Sequence, residues 1–225
     1  MIKLVIFDLD DTLYPEIEFV MSSFRTVAKV ISQDFGFDTD KIYILLIKAF
    51  EENRKFVLNR VLEYLKIYNE DYLNRLVSIY RTHKPEIHLY KDAEEMLPYL
   101  KEYFLLGLIT DGFPTTQKLK VQALNIERYF NSIIYTGEKG ENYSKPSISP
   151  FIDMLNKFHI QPNEAIYIGD NIEKDFKGPK DLGMISIRIL RENGVYRDSI
   201  APRKDFEPDY TVSSLFDLGN LLGKL

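Results

Sequence analysis

Lys3-Leu4-Val5-Ile6-Phe7-Asp8-Leu9-Asp10-Asp11-Thr12-Leu13 decides how the rest of this chain is read. Residues 3–7, apolar from Leu4 onward, read as a buried strand, and the acids begin where it ends. In an open α/β sheet, ligands bind just beyond the carboxyl ends of the strands. Carboxylates at that point serve as nucleophile, general acid/base or metal ligand, and Asp8 and Asp10 can divide those roles. Taken alone, Asp-Asp-Thr is also ordinary turn chemistry.

Further segments weigh against a plain turn. Residues 105–109 are a second apolar run, ending in Thr110-Asp111-Gly112. Residues 165–168 are another, ending in Gly169-Asp170-Asn171, with Asp175 close behind. Between them lies Lys145-Pro146, a lysine just before an expected helix start. A lone lysine is usually a surface residue, and acids near a helix N-terminus are favoured without any ligand. The order of the pieces and their placement on successive strand ends carry the signal.

From Ile17 to about Arg81 the pattern is helical. Ile17, Val20, Met21, Phe24, Val27, Ala28 and Ile31 fall on one face, Gly36 stops that helix, and Asp38-Thr39-Asp40 caps the next. From Lys91 onward helices and strands alternate: helix 92–102, strand 104–109, helix 114–124, strand 132–135, helix 147–158, strand 165–168, helix 175–182 and strand 185–189. Tyr210-Thr211-Val212 reads as a last edge strand before a terminal helix. Such alternation predicts an α/β fold, a Rossmann-like parallel sheet with helices on both faces. The expected organisation is a core of residues 1–14 and 88–225, interrupted by a helical bundle over 15–87.

At this point the chain resembles the haloacid dehalogenase-like (HAD) hydrolases, and within them the phosphatases. Asp8, Asp10 and Thr12 fit the first motif, Thr110-Asp111-Gly112 the second, Lys145-Pro146 the third, and Gly169-Asp170 with Asp175 the fourth. The resemblance implies that the helical insertion is a mobile cap. It implies Mg2+ held by Asp8, Asp170 and the Asp10 backbone carbonyl, with Asp175 steadying the site. It also implies phosphate binding by Thr110, Asp111, Gly112 and Lys145. Asp8 would be the nucleophile, forming an aspartyl-phosphate. Asp10 would protonate the leaving oxygen and then activate water, and its presence argues against carbon–halogen cleavage. Physically, phosphate esters resist attack by a carboxylate because both are negative, and a hard cation, a lysine and backbone amides answer that repulsion.

The bulk numbers exclude other classes. At 225 residues the chain has room for one domain with an insertion. A net charge of −5 gives no sign of nucleic-acid binding. No apolar run approaches the ~20 residues needed to cross a bilayer, so no membrane partner is expected. Met1-Ile2-Lys3 leads straight into the strand, leaving no room for a signal peptide. With 0 cysteines, disulfides, thiolate catalysis and zinc–thiolate sites are excluded. The expected partner is a small phosphorylated metabolite, a sugar phosphate or nucleoside monophosphate. The default location is cytoplasmic, and the oligomeric state is left open. Two alternatives stay in view: a phosphomutase or phosphotransferase using the same intermediate, and a non-catalytic phosphate-binding protein. A response-regulator receiver is set aside on length and on the position of its nucleophile.

Overall fold

The computed structural model describes residues 1–222. The chain forms two compact units, Met1–Glu16 with His88–Leu225, and Ile17–Ile87.

The first unit is built on a six-stranded sheet. Its strands are β1 (Leu4–Phe7), β2 (Leu105–Thr110), β3 (Ser132–Tyr135), β4 (Ala165–Gly169), β5 (Ile185–Ile189) and β6 (Tyr210–Val212). Their order is β3-β2-β1-β4-β5-β6 and every neighbouring pair is parallel. The chain runs outward from β1 in one direction through β2 and β3, then crosses back to β4 and runs outward the other way. The strand order therefore reverses at β1, the topology that opens a crevice at the carboxyl ends. β1 and β4 are buried along their whole length, as a sheet covered on both faces requires. Leu4, Ile6, Ile109, Ala165 and Tyr167 pack one face against Phe151, Met154 and Leu155.

The second unit holds α1 (Glu16–Phe35) beyond its first residue, α2 (Thr39–Glu52), α3 (Val57–Tyr64) and α4 (Glu70–Thr82). Asp38 caps α2 by accepting the Lys41 N–H, and Asn69 caps α4 by accepting the Tyr72 N–H. Phe24, Val27, Ala28 and Ile31 of α1 bury against Leu46, Val61, Leu62 and Leu76. His83 is buried here, bonded to the Ser22 hydroxyl at 2.9 Å and the Tyr80 carbonyl at 2.9 Å. It ties α1 to the end of α4. Of the cations on these helices, Arg60 donates to the Ala49 and Asn53 carbonyls at the end of α2, and Arg25 stacks over the Tyr43 ring.

The core helices are α5 (Lys91–Tyr103), α6 (Pro114–Ala123), α7 (Ser149–Phe158), α8 (Lys177–Leu182) and α9 (Asp217–Leu222). Two start later than the sequence suggests. α7 begins at Ser149, and α8 at Lys177 because residues 171–176 form turns, with the Asp175 N–H bonded to the Asn171 carbonyl. Asn125, just past α6, takes the left-handed conformation at φ 52°, which asparagine tolerates next best after glycine. The chain leaves the core after β1 and returns before α5, and the two passages are joined where the Tyr90 N–H donates to the Leu13 carbonyl at 2.9 Å. No helix among the described residues is long and apolar enough to cross a membrane.

Candidate active site

The carboxyl ends of β1, β2 and β4 meet at a cleft of about 190 Å³, lined by Asp8, Asp10, Asp111, Gly112 and Asp170 among others. Thr110, Lys145 and Asp175 are buried behind those residues.

Lys145 is the centre of the buried network. Its Nζ lies 2.7 Å from Asp8 Oδ1, 2.8 Å from Asp175 Oδ1 and 2.7 Å from the Tyr167 hydroxyl. The Asp175 carboxylate also accepts the Asn171 N–H at 2.9 Å, which turns it inward from the loop. Asp8, Asp170 and Asp175 each offer a carboxylate oxygen, all within 4.8 Å of one another. Burial, with Asp175 beside it, pushes the Asp8 carboxyl up to about 7 against the pull of Lys145. Burial and the neighbouring Asp175, Asp8 and Asp11 carry Asp170 well above its ordinary value. One lysine does not balance this crowd of buried acids. An all-oxygen donor set of that density suits a hard divalent cation, so the residues present fit Mg2+.

Asp10 sits in a different environment. Its Oδ1 accepts from Lys120 Nζ at 2.7 Å and from the Tyr14 hydroxyl, and its Oδ2 accepts from Gln117 Nε2 at 2.9 Å. Burial would raise this carboxyl, but Lys120, Tyr14 and Gln117 outweigh it and hold it below its ordinary value. The two first-loop acids are thus pushed in opposite directions by their surroundings: burial dominates at Asp8, and the hydrogen bonds from Lys120, Tyr14 and Gln117 dominate at Asp10. Asp11, between them, takes φ 49° and spends both oxygens on backbone, accepting the Glu16 N–H and the Val195 N–H at 2.8 Å each. It shapes the loop that carries its neighbours.

The second strand end is built around Asp111. Its Oδ1 accepts from the Thr136 hydroxyl at 2.8 Å and from the Lys145 N–H at 3.3 Å, and its Oδ2 from Lys174 Nζ at 2.8 Å. The side chain therefore braces the loops that bring Lys145 and Lys174 to the site. Thr110 Oγ1 accepts from Gln117 Nε2 at 2.6 Å, which leaves its own proton to give. Gly112 has φ 120°, a conformation reserved for glycine, whereas a Cβ there would meet only Gln117, at an ordinary 3.5 Å. Its need for glycine is conformational and owes nothing to crowding at that atom. The crowding lies at Gly137, where a Cβ would come 2.3 Å from the Gly112 carbonyl.

The structure thus brings together Asp8, Asp10, Thr110, Asp111, Gly112, Lys145, Asp170 and Asp175, leaves Thr12 outside, held through its carbonyl by Arg191, and adds Tyr14, Glu16, Gln117, Lys120, Tyr167, Lys174 and Tyr196. Lys174 had a readable position, inside the fourth motif. Lys120 and Gln117 lie at i and i+3 on one face of α6, a spacing indistinguishable in sequence from a solvated helix face.

The family profile described as haloacid dehalogenase-like hydrolase matches residues 5–189. The glyceraldehyde 3-phosphate phosphatase of Methanocaldococcus jannaschii is 31% identical over 232 residues, spanning 100% of this chain and 99% of its own. The protein of the same name from Methanopyrus kandleri is 30% identical over 236 residues, with 100% and 99% covered. Among solved structures, a HAD-hydrolase from Bacillus subtilis bound to magnesium superposes over 99% of both chains with a TM-score of 0.68. At 19% identity that last likeness speaks for the fold alone. The family profile and the full-length relatives agree with the strand-end acids: this chain belongs to the haloacid dehalogenase-like hydrolases.

Proposed function

We propose that this chain is a Mg2+-dependent phosphatase of small phosphomonoesters, working through an aspartyl-phosphate on Asp8. The observation that carries the proposal is the pairing of Asp8 with the fully buried Lys145 at 2.7 Å, beside an Asp10 held in a separate hydrogen-bond set at the same cleft. A scaffold that only bound phosphate would need no second carboxylate poised there. Asp8, Asp170, Asp175 and the Asp10 carbonyl are the groups that would hold Mg2+, which when bound neutralises charge on the phosphoryl oxygens.

An Asp8 carboxylate oxygen attacks phosphorus, and the bond from phosphorus to the ester oxygen breaks. Asp10, having taken up a proton, delivers it to the departing oxygen, releasing the alcohol. Asp10 then removes a proton from water, whose oxygen attacks phosphorus and restores Asp8 with release of inorganic phosphate. Lys145 stays fixed throughout, its charge shared by Asp8 and the phosphoryl group. The Thr110 hydroxyl and the Asp111 and Gly112 amides donate to the phosphate. The helical unit serves as the cap. The names of the full-length relatives point to a triose phosphate as substrate.

The test is phosphate release from a panel of sugar phosphates, nucleotides and small phosphoacids with Mg2+, using Asp8→Asn as the blank. Turnover of one class, lost in Asp8→Asn and on chelation, is expected. Near-native activity of Asp8→Asn would refute the covalent route, and hydrolysis insensitive to chelation would refute the metal assignment.

A further inference from the structure

Six acids line the cleft: Asp8, Asp10, Asp11, Glu16, Asp111 and Asp170. Four of them have partners. Asp8 is paired with Lys145, Asp10 with Lys120, Asp111 with Lys174, and Asp11 with two backbone amides. Asp170 belongs to the cluster fitted to a metal ion. Glu16 remains. Its backbone N–H is anchored on Asp11, which fixes the residue at the start of α1, yet its carboxylate takes no hydrogen bond or ion pair from any described residue. It is partly exposed within the cleft, where burial and the nearby Asp10 push its carboxyl up to about 7 against the pull of Lys120 and Lys174. Both lysines have committed their ammonium groups to Asp10 and Asp111. A carboxylate that is desolvated, rigidly rooted and unpartnered is costly to hold in a folded protein without return.

We propose that Glu16 is the residue that reads the leaving group, accepting a hydrogen bond from a substrate hydroxyl and turning away substrates that carry a second negative charge there. The inference rests on the phosphatase reading above and deepens it by naming the substrate class: phosphomonoesters of uncharged, hydroxylated short-chain alcohols or hydrated aldehydes. Phosphorylated carboxylic acids of the same length are excluded. Specificity of this kind uses repulsion as well as attraction. Two like charges about 6 Å apart at an effective dielectric of about 20 discriminate by roughly a hundredfold before screening trims the effect.

Glycerol 3-phosphate and 3-phosphoglycerate form a matched pair for the test, since they differ in a hydroxymethyl against a carboxylate. The readout is the ratio of their kcat/KM values, in which any general loss of activity cancels, with p-nitrophenyl phosphate as a substrate bearing neither group. Wild type, assayed above pH 7 so that Glu16 carries its charge, should favour glycerol 3-phosphate by about tenfold or more. Glu16→Gln, which keeps an acceptor and removes the charge, should shrink that ratio by about tenfold through a gain on 3-phosphoglycerate. Glu16→Ala should shrink it further by also losing activity on glycerol 3-phosphate. The inference is overturned if wild type shows no preference, or if the ratio in both variants stays within twofold of wild type. Turnover of p-nitrophenyl phosphate with neither member of the pair hydrolysed overturns it while leaving the phosphatase reading intact. Silence of wild type on all three compounds overturns both.

Discussion

Replacing Arg191 with Met tests how the loop that follows β1 is held. Arg191 follows β5, and its Nη1 lies 2.6 Å from Asp92 Oδ2. Its Nε and Nη2 donate to the Thr12 carbonyl at 3.2 and 2.7 Å, and its guanidinium stacks 4.0 Å over the Tyr90 ring. The side chains of Arg191 and Asp92 are 6% and 7% exposed, so the pair is little screened by solvent. Methionine fills much of the volume but leaves the Asp92 charge with only the Ser214 hydroxyl and the Leu215 N–H. Breaking a buried pair from one side costs about 3–5 kcal/mol, the lost bonds to Thr12 falling within that range. For a chain of this size that corresponds to a Tm lower by roughly 6–20 °C.

The assay is urea unfolding of wild type, Arg191→Met, Asp92→Asn and the double variant. The double variant should be more stable than the sum of the singles predicts, by about 1–3 kcal/mol, because it strands no charge. The pH dependence has a definite sign. Burial raises the Asp92 carboxyl, but Arg191, the Leu215 amide and Ser214 outweigh it and hold it below its ordinary value. A depressed carboxylate contributes stability above its unfolded value of about 3.9 and loses it as pH falls through the folded value. The gap between wild type and Arg191→Met should therefore be full at neutral pH and narrow in acid. A single variant within about 1 kcal/mol of wild type, or additive singles, would refute the account.

Three further outcomes are expected. Lys145→Met strands Asp8 and Asp175 without their cation, so turnover should fall by at least about a thousandfold, and rapid-quench experiments should find no phosphoenzyme; detectable phosphoenzyme at wild-type levels would show that Lys145 is not needed for the attack. Lys120→Met frees Asp10 from one of its anchors and should lower kcat by about tenfold to a hundredfold, more for poor leaving groups than for p-nitrophenol; an equal loss for both would separate Lys120 from the proton-transfer step. Gly137→Ala forces a Cβ toward the Gly112 carbonyl, now 2.3 Å from where that atom would stand, and should cost about 1–3 kcal/mol and reduce activity; a thermal melt matching wild type would contradict the tight fit.

Sequence legibility followed geometry. Asp8, Asp10, Thr110, Asp111, Gly112 and Asp170 could be read because each follows an apolar run, and a strand end announces itself in one dimension. The sheet could be read for the same reason, since buried parallel strands are continuous apolar stretches. Lys120 could not. On α6 it is buried and Lys118 is half exposed, yet two residues apart they look alike until the helix is placed against the sheet. Tyr167 sits inside an apolar strand and reads as core, although its hydroxyl contacts Lys145. Arg191 and Tyr196 come from a stretch with no periodic pattern at all. What they touch is set by the return of that loop, where the buried Arg188 guanidinium grips the Tyr196 carbonyl at 2.6 Å. Asp175 reads both as an acid of the fourth motif and as an acid at a helix start, and the turn over residues 171–176 is what directs its carboxylate inward.

The hydrogen bond from Tyr90 to Leu13 closes the gap through which the chain departs and re-enters. Every residue lining the cleft belongs to the segments on the core side of that gap. The interruption is therefore a socket: a different helical hairpin, or a short linker, with ends about one hydrogen bond apart could be spliced in without re-registering a strand. A graft that removed residues 17–87 while retaining Glu16 would carry the leaving-group preference along with the core.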